Sequence, residues 1–396
     1  MAAAGSDARA TLAEPGRKMG NHKKRIAVVL AGAVAQGAFE AGAIRALVRA
    51  DVEIVRIVAA SSGALNGTVL AAGLRTRDAI AGAETLATLW RDHAEWNEVF
   101  HASLRDLLKR DGLSDQKRLL GLLREHVPPS QPDDPAPINL RLIVAALHGC
   151  TSSIGARPAT TFESVRDFHT GDFATVEGLG GVFTAAVASS ALPLVFAPVD
   201  LPGVGPCIDG GAVNNTPMKW ALDGAIGAEV DAIVVVATSV EHRSDAADVT
   251  GFLPYVGHVV NMLIQERLYR DLRESEQLNA GLAALDDMVA RGELSPAQRE
   301  GVQRALGLAG RRVVDILTIR PLTQLPGTAF SGFFDASLRA EYLEAGYLRG
   351  LEVLGAAERE WRKAGQPDRA PAARSEEHGA PGEPRSAAAS ADDRAD

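Results

Sequence analysis

Apolar positions along this chain follow two rhythms, short unbroken runs and stripes at helical spacing, and the two alternate. Residues 26–31 form an unbroken apolar run, which predicts a buried strand, and a turn of small residues follows. Phe39, Ala43, Ile44, Leu47 and Val48 then recur on one face of a predicted helix. The pattern repeats with a strand at 54–59 and a helix at 64–74. Residues 79–100 read as helical, with Leu86, Leu89, Trp90 and Val99 apolar, and 104–126 continue in that style. The proline-rich stretch 128–137 reads as a surface connection. Residues 140–147 predict the next strand, with 160–165 as its hairpin partner. A small-residue helix at 181–191 stops at Leu192-Pro193. The β-branched run 232–238 has the character of a strand covered on both faces. Helices are expected at 256–278 and 282–291, and Ser295-Pro296-Ala297-Gln298 is a capping box with proline at the first helical position. A last strand at 313–319 and a closing helix at 335–354 complete the series, with no internal repeat. Strands alternating with helices predict a mostly parallel sheet with helices on both faces.

The ends break the pattern. Residues 1–23 are small and polar without periodicity and are expected to be a disordered arm. The cluster His22-Lys23-Lys24-Arg25 reads as a solubilising flank, or as a transient contact for anionic lipid at a membrane surface. Residues 364–396 hold no large apolar side chain and are expected to form a disordered tail. One ordered domain over 24–363 is expected.

Composition narrows the class. The 396 residues are 46% hydrophobic and 23% charged, as in a soluble globular protein. A net charge of −9 gives no overall basic field, which disfavours generic nucleic-acid binding. Cys150 and Cys207 make no disulfide framework and lack metal-ligand spacing. No stretch reaches the ~20 apolar residues that a membrane-spanning helix needs. Asp7, Arg9, Glu14, Arg17 and Lys18 interrupt any signal-peptide core. A cytoplasmic or membrane-peripheral location without a signal peptide is therefore expected.

Three stretches carry candidate chemistry. The first is Ala59-Ala60-Ser61-Ser62-Gly63, between a predicted strand and a predicted helix. That context suits a nucleophile elbow, and it equally suits a serine capping a packed helix. The second is the small-residue turn from Gly32 through Ala33, Val34 and Gln36 to Gly37. In a parallel sheet it lies at the same carboxyl edge as Ser61, where its amides could meet an oxyanion. A dinucleotide-binding turn is the competing reading, although Val34 replaces its third glycine and no acidic residue closes the second strand. The third is Asp209-Gly210-Gly211-Ala212-Val213-Asn214-Asn215-Thr216-Pro217, whose aspartate could act as a general base or simply make an Asx-turn. The histidines are scattered without paired spacing, and a serine–histidine–aspartate triad stays open.

Together these stretches resemble the patatin-like phospholipase family, as do the Ala188-Ser189-Ser190-Ala191-Leu192-Pro193 turn and Glu344-Ala345-Gly346-Tyr347. The resemblance implies a three-layer α/β/α sandwich that hydrolyses acyl esters of phospholipids or other lipids without metal or cofactor. It implies Ser61 as nucleophile, Asp209 as its partner in a dyad without histidine, and Gly32, Ala33 and Val34 as the oxyanion hole. The chain departs from the family pattern at Val34 (a third glycine there), Gln36 (commonly Arg or Lys) and Ala59 (the elbow's first glycine). An imperfect oxyanion hole is therefore expected, which Val34→Gly with Gln36→Arg should improve. The reading is a metal-independent serine hydrolase of lipid esters. A patatin-fold protein of weak activity that binds lipid or a partner, and a nucleotide-binding protein, are the alternatives.

Overall fold

The computed structural model describes residues 23–100, 114, 116–154, 157–193, 195–227, 229–240 and 251–364. Among these, eight strands form one sheet: β1 (Lys24–Leu30), β2 (Val52–Ala60), β3 (Asn139–Ile154), β4 (Arg157–His169), β5 (Val199–Leu201), β6 (Gly205–Asp209), β7 (Ala232–Val236) and β8 (Asp315–Ile319). The strand order is β5-β6-β3-β2-β1-β7-β8, with β4 also on β3. The run β3-β2-β1-β7-β8 is parallel throughout, whereas β4, β6 and β5 are antiparallel additions.

The helices longer than one turn among the described residues are α1 (Gly37–Leu47), α2 (Ser62–Arg75), α3 (Ala79–Asp92), α4 (Lys117–His126), α5 (Val176–Ser189), α6 (Phe252–Ala290), α7 (Pro296–Ala305) and α8 (Ala336–Ala364). Alternation along β1 sends Ile26, Val28 and Leu30 to one face and Ala27 and Val29 to the other. The first face packs against α1, α2, α3, α5 and α8, through residues such as Phe39, Leu70, Leu86, Phe183 and Tyr342. The second packs against Met218, Ala221 and, from α6, Leu268 and Leu272. The result is an α/β/α sandwich. Because both faces are covered, β1 and β7 carry unbroken apolar runs.

The α1–α8 crossing is unusually close. A Cβ on Gly346 would lie 1.9 Å from the Phe39 carbonyl oxygen. Gly346→Ala therefore has to push two helix backbones apart, and a loss of about 1–3 kcal/mol in a urea melt is expected. An unchanged midpoint would mean that the helices separate freely.

Several boundaries differ from the expectations. Residues 79–100 are not one helix: α3 stops at Asp92, and a separate turn, Trp96–Val99, follows. Of the helical stretch expected at 104–126, α4 is described, and 101–113 lie outside the described residues. The two helices expected at 256–278 and 282–291 are one continuous α6. Gly281 weakens a helix by about 1 kcal/mol without breaking it. Asn279 and Leu282, which flank it, are anchored: Asn279 donates to the Val314 carbonyl at 2.7 Å, and Leu282 is buried. Lys23 and Ala364, assigned to the arm and the tail, are both described, Ala364 as the last residue of α8; residues 1–22 and 365–396 lie outside the described residues. No described helix is long and apolar enough to cross a membrane.

Candidate active site

Two strands run toward each other along one edge of β3. β4 occupies the other edge, so β2 and β6 share this one in succession: Ala60 pairs with Ile143, and Asp209 with the next residue, Val144. The carboxyl ends of a parallel and an antiparallel strand therefore abut. Ser61 is the first residue after β2, and its Oγ donates to Asp209 Oδ2 at 2.7 Å.

The backbone at Ser61 is strained. Its φ of 56° and ψ of −132° lie outside the regions a side chain favours, a cost on the order of 1–3 kcal/mol. Surrounding bonds hold it there. The Ser61 N–H donates to Ser189 Oγ at 3.0 Å, and Ser189 Oγ donates to the Ile143 carbonyl at 2.6 Å. The Asp209 N–H donates to the Ala191 carbonyl at 2.9 Å. Asp209 is 3% exposed, and its Oδ1 accepts the Gly211 N–H at 2.7 Å. Burial pushes its carboxyl up to about 6, against the opposing pull of the Ser61 and Gly211 hydrogen bonds.

The glycine-rich turn passes directly over this pair. A Cβ on Gly32 would stand 2.6 Å from Ser61 Cβ and 2.3 Å from Asn215 Oδ1, so only glycine fits there. The Gly32 N–H donates to Asn215 Oδ1 at 3.1 Å, and the Asn215 amide returns a bond to the Gly32 carbonyl at 3.2 Å. The Ala33 N–H donates to Ser62 Oγ at 2.9 Å. The Ala35 N–H donates to the Ala329 carbonyl at 3.0 Å. Of the three expected oxyanion residues, Gly32 and Ala33 thus spend their amides within the protein, and the Val34 N–H meets no acceptor among the described residues. The first-turn amides of α2, at Ser62 and Gly63, have no preceding helical carbonyl to meet.

Ser61 and Asp209 lie on the wall of a cleft enclosing about 870 Å³, its open mouth included. Most of its lining is apolar, with Leu65, Leu86, Leu89, Leu122, Phe196 and Phe333 as examples. His93 also lines it, but its Nδ1 faces Glu98 at 3.2 Å and its ring packs against His126. The direct Ser61–Asp209 bond leaves no place between them for an imidazole. Among the described residues, no group of three or more His, Cys, Asp or Glu side chains could hold a metal ion.

Residues 28–222, which include Ser61, Asp209 and the turn from Gly32 to Gly37, match the family model for patatin-like phospholipase. This region belongs to the patatin-like phospholipase family. No curated protein matches its sequence. Among solved structures, VipD from Legionella pneumophila is similar over 84% of this chain and 67% of its own, with 13% identity and a TM-score of 0.35.

In this patatin-like chain the departures from the family pattern take on physical meaning. Val34 adopts φ 54°, the left-handed region where glycine is at ease and a β-branched residue is an outlier. The turn therefore keeps a glycine-like path at a cost in strain. Gln36 is 6% exposed. An arginine there would bury its charge, so Gln36→Arg is no longer expected to help.

Sequence reasoning missed a polar chain behind the cleft. Asn66 donates to Glu40 Oε2 at 2.9 Å and to the Gly37 carbonyl at 3.1 Å, and it accepts the Trp90 indole N–H at 2.7 Å. Burial holds the Glu40 carboxyl well above the usual carboxylate range, favouring its protonated form. A charged residue amid the small and apolar residues of α1 was the available signal. Ser189 and Asn215 were inside quoted stretches, but their roles as tethers depend on contacts more than a hundred residues away.

Proposed function

We propose that this patatin-like protein hydrolyses carboxylic esters of lipids through a covalent acyl-serine on Ser61, with Asp209 as general base. The observation that carries this is the 2.7 Å Ser61–Asp209 hydrogen bond on the wall of an apolar cleft. Ser61 Oγ attacks the ester carbonyl carbon while its proton passes to Asp209 Oδ2. The tetrahedral intermediate collapses, the bond to the leaving alcohol breaks, and the alkoxide takes the proton from Asp209. A water molecule then attacks the acyl-serine and gives its proton to Asp209. Collapse releases the fatty acid and returns the proton to Ser61 Oγ. The negative oxygen of each intermediate is best served by the open Val34 N–H and by the first-turn amides of α2, where the helix dipole adds to the attraction. The apolar cleft suits an acyl chain. The dyad generates its nucleophile without a metal.

The weak-activity alternative draws on the amides of Gly32 and Ala33, which are already bonded within the protein. The nucleotide-binding alternative loses the same two donors. Fatty-acid release from dispersed phospholipid, followed in EDTA, tests the proposal. Turnover unaffected by the chelator is expected. A folded protein that binds lipid yet releases no acid from phospholipid or from a simple acyl ester would favour the binding role.

A further inference from the structure

Resting on that hydrolase reading, we infer that the Val34 side chain selects the acyl group, admitting unbranched chains and excluding those branched at the carbon next to the scissile carbonyl. Val34 lines the cleft together with Ser61 and is partly buried, so it stands in the wall that a reacting ester faces. It holds this place at φ 54°, where glycine would give the same backbone path without strain. What valine adds at this position is therefore the side chain itself. Two features stop that side chain from yielding. Its χ1 is stiff because both branches leave Cβ. The turn is also tied on both sides, by Gly32 to Asn215, by Ala33 to Ser62 and by Ala35 to the Ala329 carbonyl.

The same residue offers the turn's open amide. An ester oxygen drawn to the Val34 N–H brings its own carbonyl carbon close under the Val34 side chain. A linear acyl chain can leave that point along the apolar wall formed by Leu65, Leu86 and Leu89. A methyl group on the α-carbon has to share volume with the valine methyls.

The test compares kcat/KM for para-nitrophenyl butyrate and para-nitrophenyl isobutyrate in the full chain, its Val34→Ala variant and its Val34→Gly variant. Each sample is titrated on Ser61 with a fluorophosphonate, so that only active protein is counted. Wild type is expected to prefer the linear ester, and both variants are expected to lower that preference by at least ~10-fold, the scale of one methyl group in a tight apolar site. Alanine separates shape from backbone, because it removes the methyls while keeping a strained Cβ. A preference unchanged in Val34→Ala overturns the inference, and so does a change confined to Val34→Gly, which would trace to backbone geometry. A wild type that labels on Ser61 but shows no preference for the linear ester overturns the inference alone. A wild type that neither labels nor turns over either ester overturns the hydrolase reading and this inference with it.

Discussion

Asp209→Asn is expected to lower ester hydrolysis by at least ~10²-fold, the lower end of general-base contributions, while leaving the fold intact. The asparagine keeps the shape and can still accept the Gly211 N–H, but it cannot take the Ser61 proton. The same carboxyl should write its titration into the wild-type rate. It must be ionised to act as a base and its value is pushed up to about 6, so kcat/KM should rise with pH through a limb near 6. Stability should move the other way. The folded carboxyl binds its proton more tightly than the unfolded one, whose value is ~3.9. Its stabilising contribution is therefore complete below ~3.9, is lost as pH climbs through about 6, and leaves a buried charge above that. Thermal melts of Asp209→Asn against wild type should show the variant gaining ground between pH 4 and pH 8, by up to on the order of 3 kcal/mol. A flat rate profile across the same window would mean that another group takes the proton.

Ser61→Ala should abolish fluorophosphonate labelling and take esterase activity down on the order of 10⁶-fold, the scale seen when a triad nucleophile is removed. Its neighbour cannot substitute, because Ser62 Oγ is held by the Ala33 N–H and Ser62 already belongs to α2. The strained backbone gives a second, independent readout. At φ 56° a glycine is at ease and an alanine is not, so Ser61→Gly should melt above Ser61→Ala although both are inactive. Persistent labelling of Ser61→Ala at wild-type stoichiometry would place the reactive serine elsewhere.

Much of this architecture was legible in the chain because it rests on short-range physics. The apolar runs at 26–31 and 232–238, and the capping box at Ser295, are local statements about burial and backbone bonding, and β1, β7 and α7 form where those statements put them. The elbow was legible for the same reason: a strand, small residues and a helix within a dozen positions leave few paths for the backbone. Other features depend on partners far away in sequence. That β6 runs antiparallel and meets the end of β2 on β3 is a matter of register among three strands, and it alone brings Ser61 against Asp209, 148 positions later. The fate of the turn's amides is likewise decided by Asn215, Ser62 and Ala329. Val34 could be seen as a departure, but only the packed turn settles that it takes the glycine-like φ and keeps its N–H open. Residue identity determines which groups are available and which local paths they favour; which donor meets which acceptor is decided by the folded sheet, because hydrogen bonds act over about 3 Å and the chain must first close loops of more than a hundred residues to bring their ends together.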